Sequence, residues 1–260
     1  MGLLDLVFPK RCVGCRKSGE YICPNCFSLI SFDVKEKCLG CGFRSIDGFT
    51  HPGCRGKYII DGAFCVVKYK KTIQKLIYQF KYEPYLTDLQ KVISELFYEG
   101  LIQKELFMQL LESNPTLIPI PLSKRKFRKR GYNHAEILAK NLAKKFSLQT
   151  VNYLVRIKET KPQFGLGRED RKKNIKGAFD INDSVILARQ SASGGKAGIY
   201  LDGSRVPTSP KGYDGRGKPG MTAILVDDVL TTGSTLLEAA NVLKRNGFEK
   251  VYAVVFAQEE

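Results

Sequence analysis

The chain has 260 residues, long enough for two domains, and its 43% hydrophobic content supplies a buried core. No apolar run approaches the ~20 residues that cross a bilayer. The apolar start, Met1 to Pro9, lacks the basic leader and cleavage site of a secretion signal, so a cytoplasmic protein without membrane insertion is expected. A formal net charge of +16 exceeds what solubility requires and points to an anionic partner.

Seven of the eight cysteines precede residue 55. They form Cys12-Val-Gly-Cys15, Cys23-Pro-Asn-Cys26 and Cys38-Leu-Gly-Cys41, and a fourth unit, His51-Pro-Gly-Cys54, carries His in place of Cys. Each two-residue gap presents two ligands from one tight knuckle, as tetrahedral Zn²⁺ requires. Two structural sites are the natural count. Local grouping places Cys12, Cys15, Cys23 and Cys26 on one ion and Cys38, Cys41, His51 and Cys54 on the other. An interleaved ribbon, Cys12/Cys15 with Cys38/Cys41, is the competing pairing, and His51 read as a loop residue would leave the second site one ligand short. Residues 1–57 form this zinc-knuckle domain, too small to build a core without metal. Cys65, in an apolar run, reads as a small core residue.

Beyond the knuckles, Asp61 to Tyr69 reads as a strand. Thr72 to Tyr82 has apolar residues at helical spacing (Ile73, Leu76, Ile77, Phe80). Leu86 to Leu111 continues as helix until Asn114-Pro115 breaks it. Leu117 to Leu122 reads as a buried strand. A basic loop follows, in which six of the seven residues from Lys124 to Arg130 are Lys or Arg. A helix is predicted from about Asn133, its N-cap, to Phe146, with Glu136 as the back half of a capping box. His134 is either a first-turn residue or a substrate contact, and Tyr132 either stacks on a base or packs beneath the loop. Val151 to Ile157 offers a short strand, and a second basic stretch runs from Arg168 to Lys176. Residues 190–220 are rich in Gly and Pro and read as a mobile insert or a functional lid.

Ile224-Leu225-Val226 has the character of a buried parallel strand and ends in two adjacent carboxylates, Asp227 and Asp228. Thr231-Thr232-Gly233-Ser234-Thr235 then turns into a helix, Leu236 to Arg245, stopped by Asn246-Gly247. Turn amides and the positive helix end make an anion cradle. The carboxylates would repel a bare phosphate, but they suit two sugar hydroxyls or a hydrated Mg²⁺. A ribose phosphate satisfies both halves. Val251 to Phe256 supplies a last strand. Alternating strands and helices imply an α/β fold, a parallel sheet with flanking helices over residues 58–260, with ligands beyond the carboxyl ends of the strands. Both the Asp-Asp turn and the basic loop should open on that edge.

The stretch 224–235 resembles the signature with which type I phosphoribosyltransferases bind 5-phosphoribosyl 1-diphosphate (PRPP). Four features in order make the chain resemble the ComF family of phosphoribosyltransferase-like proteins linked to competence. They are the Cys-x-x-Cys amino-terminal region, the Arg130-Gly131-Tyr132-Asn133 segment after a Pro-rich strand, the Thr160-to-Phe179 segment with Gln163, Leu166, Arg171 and Asn174, and the Asp227-to-Thr235 signature. The insert 190–220 departs from that pattern. The resemblance implies a type I phosphoribosyltransferase fold with a small zinc-finger extension and a role in uptake of transforming DNA.

On the enzyme reading, Mg²⁺ accompanies PRPP and Asp227 and Asp228 hold the ribose. Thr231, Thr232, Gly233, Ser234 and Thr235 grip the 5′-phosphate, and Arg130, Lys124 or Arg125, and Arg171 face the diphosphate. On a second reading the protein binds single-stranded DNA without turnover, its basic run working with Phe127 and Tyr132. On a third it is an adaptor whose knuckles dock a helicase-like competence protein.

Overall fold

The computed structural model describes residues 10–56, 59–82, 87–160, 167–182, 200–201, 204–205 and 221–259. The expectations for Met1 to Pro9, for Lys161 to Leu166 and for nearly all of 190–220 lie outside those residues. Within the insert, Tyr200–Leu201 (β6) pairs antiparallel with Ser204–Arg205 (β7).

The core is a five-stranded, wholly parallel sheet. In spatial order its strands are β1 (Gly62–Lys68), β9 (Lys250–Gln258), β8 (Thr222–Leu230), β2 (Thr116–Pro119) and β3 (Gln149–Thr150). A separate antiparallel pair joins β4 (Leu154–Arg156) to β5 (Phe179–Ile181). One face of the sheet is covered by α2 (Lys71–Tyr82), α3 (Thr87–Ile102), α4 (Glu105–Leu111) and α6 (His134–Phe146), whose Ile73, Leu76, Phe80, Leu89, Phe97, Phe107 and Leu138 pack with Ile224, Val226 and Val254. The other face meets α8 (Ser234–Arg245) through Leu236, Ala239, Ala240 and Leu243, which pack with Leu225 and Val255, and α7 (Arg168–Ile175) packs on α8. The alternation of the buried strand β8 between these two clusters follows from the period of two of a strand.

Three elements differ from the sequence reading. The basic run is a helix, α5 (Lys124–Arg130), not a loop. Ser123 caps it by accepting from Lys126 N–H at 3.4 Å, and Gly131 ends it in a left-handed conformation, φ 78°. Lys and Arg are good helix formers and favour a helix C-terminus, but a run that is polar all round carries no apolar period to announce it. The long helix after residue 86 is two helices, α3 and α4. Lys104 leaves helical geometry between them (φ −100°, ψ 100°), and its ammonium reaches the buried Glu36 at 2.7 Å. Finally, β8 runs on to Leu230, so both aspartates lie inside the strand rather than at its end.

The amino-terminal segment, with its short helix α1 (Pro24–Phe27), covers the outer edge of β1. Lys68 N–H donates to Ser31 O at 2.9 Å, Cys65 N–H donates to Glu36 Oε1 at 3.4 Å, and Phe49 bridges Gly62. An edge strand thus loses its unpaired amides to neighbours within the chain, which protects it from pairing with other molecules.

On the opposite side β1 meets α3 at Gly100. A Cβ there would lie 2.0 Å from Val66 Cγ1 and 3.1 Å from Val66 Cβ, and a β-branched side chain cannot swing clear. Gly100→Ala is expected to cost about 1–3 kcal/mol by overpacking, read as a lowered urea midpoint; an unchanged midpoint would show that α3 shifts freely.

Candidate functional site

The knuckle ligands converge in two groups. Cys12, Cys15, Cys23 and Cys26 form one, Cys38, Cys41, His51 and Cys54 the other, and the ligating atoms of each lie within 4.8 Å of one another. This is the local grouping; the interleaved one is not formed among the described residues. The donor set fits zinc. Burial raises a thiol, yet amide hydrogen bonds from Cys23, Cys15 and Gly14 outweigh it and bring Cys12 down to about 6. Those from His51, Cys41 and Gly40 bring Cys38 down to about 7. One thiol of each group is thereby poised as the thiolate that metal binding needs. Hydrogen bonding to Cys12 and to Cys41, with burial, pushes Cys26 and Cys54 up to about 12 and 11, a proton that a bound cation would displace. His51 Nε2 lies 3.0 Å from Arg44 O, and a carbonyl only accepts, so Nε2 carries the proton. Nδ1, 3.3 Å from Cys41 Sγ, is left with its lone pair toward the cysteines.

Between Leu39, which sits inside the second knuckle, and the Thr231–Thr235 turn there is direct contact. Gly233, φ 76°, caps α8, and a Cβ on it would lie 2.9 Å from Leu39 Cδ2. Thr232 Oγ1 and Ser234 Oγ are 2.9 Å apart across the turn. The turn follows directly on β8 and opens on a cleft of about 1150 Å³ at the carboxyl end of the sheet. The cleft exists because β2 leaves the sheet early. Its pairing with β8 stops at Pro119 and Val226, apart from Ile120 N–H donating to Val226 O at 3.0 Å, and β8 continues alone on that side.

Asp228 is 4% exposed and faces α2 and α6. Lys81 Nζ lies 2.5 Å from its Oδ2, and His134 Nε2 lies 3.4 Å from its Oδ1. Arg130 Nη1 lies 3.3 Å from His134 Nδ1. A guanidinium only donates, so Nδ1 accepts, Nε2–H points to Asp228 and the imidazole is neutral. Burial lowers His134 in the same sense, against the pull of Asp228. Burial works against charge on Asp228, but Lys81 and His134 outweigh it and hold this carboxyl well below the usual range. Asp227 brings a carboxylate oxygen within 4.8 Å of Asp228 and of the His134 ring nitrogen, and its charge also acts on Lys126 and Arg156. Burial, then the neighbouring Asp228 charge, pushes it up to about 8, even though Asp228 N–H donates to its Oδ1 at 2.9 Å. The pair therefore holds one proton at neutral pH.

Of the cations singled out in the sequence, Arg130 and Arg171 line the cleft, together with Asp227, Asp228, Thr231, Gly233, Ser234 and Thr235. Lys124 and Arg125 are exposed on α5 and are not among its lining residues; Arg125 N–H instead meets Glu159 at 2.9 Å. Tyr132 packs beneath, its hydroxyl donating to Phe80 O, and Phe127 is exposed away from the cleft lining. Four cations outside the knuckle region that were not singled out in the sequence also line the cleft: Lys75, Lys81, Lys126 and Arg156. Only Lys126 carried a signal, as a member of the basic run from Lys124 to Arg130. Arg11, Val13 and Arg16 of the knuckle region complete the wall.

Residues 129–260, half of the chain, match the phosphoribosyl transferase domain family. The chain belongs to that family. Residues 3–55 match the double zinc ribbon domain. Competence protein F of Haemophilus influenzae is 27% identical over 254 residues, 94% of this chain and 95% of the relative. The DNA utilization protein YhgH of Shigella flexneri is 26% identical and that of Escherichia coli K12 is 25% identical, each over 191 residues, 70% of this chain and 65% of the relative. The phosphoribosyl transferase domain thus carries the acid pair, the Thr-rich turn and Arg130, while the ribbon carries both cysteine groups. No helix among the described residues is long and apolar enough to cross a membrane.

The Leu39–Gly233 contact ties the turn to the second knuckle. Stripping zinc with a chelator should raise amide hydrogen exchange in residues 231–235 along with the ribbon itself. A rise confined to the ribbon would show that the turn stands without it.

Proposed function

We propose that this phosphoribosyltransferase-like protein binds PRPP in the cleft and transfers its phosphoribosyl group to an acceptor during the handling of single-stranded DNA. One observation carries the reading: a single strand, β8, carries the acid pair and runs directly into a phosphate-type turn, at a cleft whose other walls are cationic. The relatives named for competence and DNA utilization support the setting, and the +16 charge suits a polyanionic partner.

In this reading the amides at the start of α8, with the hydroxyls of Thr231, Thr232, Ser234 and Thr235, grip the 5′-phosphate. Asp227 and Asp228 accept from the ribose hydroxyls and face the positive charge that develops at C1′. Lys126, Arg130, Arg156 and Arg171 face the departing diphosphate, whose charge they stabilise as it forms. Asp228 is already ion-paired with Lys81, so the acid pair is not a built cage for a divalent ion. Mg²⁺ belongs to the substrate, chelated by its own diphosphate and water. Each ribbon knuckle holds one structural Zn²⁺, with Cys12, Cys15, Cys23 and Cys26 on the first and Cys38, Cys41, His51 and Cys54 on the second.

The double variant Asp227→Asn, Asp228→Asn should lose PRPP affinity by at least about a hundredfold, from two charge-assisted hydrogen bonds. Calorimetry checks this; retained affinity would sink the assignment. A second outcome follows from the raised Asp227. Ribose hydroxyl donors favour its ionised form, so PRPP binding at pH 7 should release close to one proton. The release should fade above about pH 9, where the free carboxyl is already ionised. Calorimetry in buffers of different ionisation enthalpy measures it, and proton uptake at pH 7 would contradict the sign.

A further inference from the structure

Helix α2 buries Ile73, Leu76, Ile77 and Phe80 and turns Tyr78 and Tyr82 outward. The two rings are 62% and 43% exposed, one helical turn apart, with centroids 4.8 Å apart and planes at 44°. The core does not need them, because the apolar face of α2 is complete without them. Both line the cleft. Arg130, which reaches His134 beside the acid pair, has its guanidinium 5.0 Å from the centre of the Tyr82 ring and donates to the Tyr82 hydroxyl at 3.3 Å. Lys129 Nζ lies 5.8 Å over the same ring. Facing them on the ribbon side are Arg11 and Arg16, both exposed. Lys75, from the same helix, donates to the Gly14 carbonyl at 3.2 Å and fixes the ribbon against α2.

Two adjacent, mutually tilted and solvent-facing rings between cations on both sides select a ligand with a flat π-face and flanking negative charge. A nucleobase in a phosphate chain has both. A tyrosine pair at this spacing also stabilises a helix by a few tenths of a kcal/mol, but that role needs neither the cations nor the cleft. We infer that Tyr78 and Tyr82 form a base-stacking platform for single-stranded DNA at the mouth of the cleft. Tyr78, the more exposed ring, takes a base, Arg130 orients Tyr82, and Arg11, Arg16 and Lys129 meet the phosphates. The platform brings a strand to the same cleft as the acid pair. It replaces Phe127 and Tyr132 as the stacking residues, one lying outside the cleft lining and the other bonded beneath α5.

The inference rests on the nucleic-acid part of the proposed function, and two strands separate the failures. A labelled oligothymidylate and an abasic strand of equal length are titrated by fluorescence anisotropy at two salt concentrations. The platform requires the base-bearing strand to bind roughly tenfold tighter than the abasic one. It also requires Tyr78→Leu to remove that advantage, Tyr78→Phe to keep it, and the abasic affinity to stay unchanged in both. Equal affinity for the two strands, or an advantage that survives Tyr78→Leu together with Tyr82→Leu, overturns the platform and leaves a phosphate-driven mode. Binding of neither strand overturns the platform and the nucleic-acid reading together, and says nothing against PRPP. Both rings are on the surface, so the variants are expected to fold, which circular dichroism verifies.

Discussion

Consecutive carboxylates on a buried parallel strand cannot both be charged without help. The strand's own alternation starts them on opposite faces of the sheet, and an unequal share of protons resolves the conflict. Asp228 meets Lys81 and His134, while Asp227 keeps the proton that its burial and its neighbour's charge leave on it. The rest of the site follows from this division. Helix α2 must end and α6 must begin beside β8 to deliver Lys81 and His134, and β2 must leave the sheet early to make room. The chain then turns at Gly233 into α8, with its amides toward the same space. An acid pair that holds one proton at rest is a poor magnet for stray cations.

The zinc ribbon is more than an appendage to this arrangement. It guards the edge of β1, sends Glu36 to meet Lys104, places Leu39 against Gly233 and lends Arg11 and Arg16 to the cleft. Metal at the knuckles and order at the turn are therefore parts of one packing problem. A small cysteine-rich segment achieves this because its own shape is set by coordination, independently of the core it presses on.

Much of this was legible in the sequence because the signals were local. The knuckle units, the apolar run into Asp227 and Asp228 and the turn that follows are each contained within about a dozen residues, on the scale of a single element. The parallel α/β layering followed from alternation of strands and helices. Lys81 was not legible, since nothing around a lysine in the last turn of an amphipathic helix says which acid it will meet. Arg156 was hidden in the same way. The basic run was misread as a loop because its helicity depends on Ser123 and Gly131 at its ends, and the charge between them drowns that pattern. Tyr78 and Tyr82 fell on the polar side of a helix whose apolar side drew the eye. Their meaning depends on the cleft beside them, which only the assembled fold creates.

Guarding a sheet edge with a metal-shaped segment has a practical corollary. A shortened protein beginning near residue 58 would bare the outer amides of β1, and the strand's own Ala63 and Cys65 would lose Leu39 from the apolar cluster they share. Such a fragment has the makings of an aggregating species rather than a minimal cleft-bearing unit. Transplanting the cleft onto another scaffold would thus mean carrying both knuckles along.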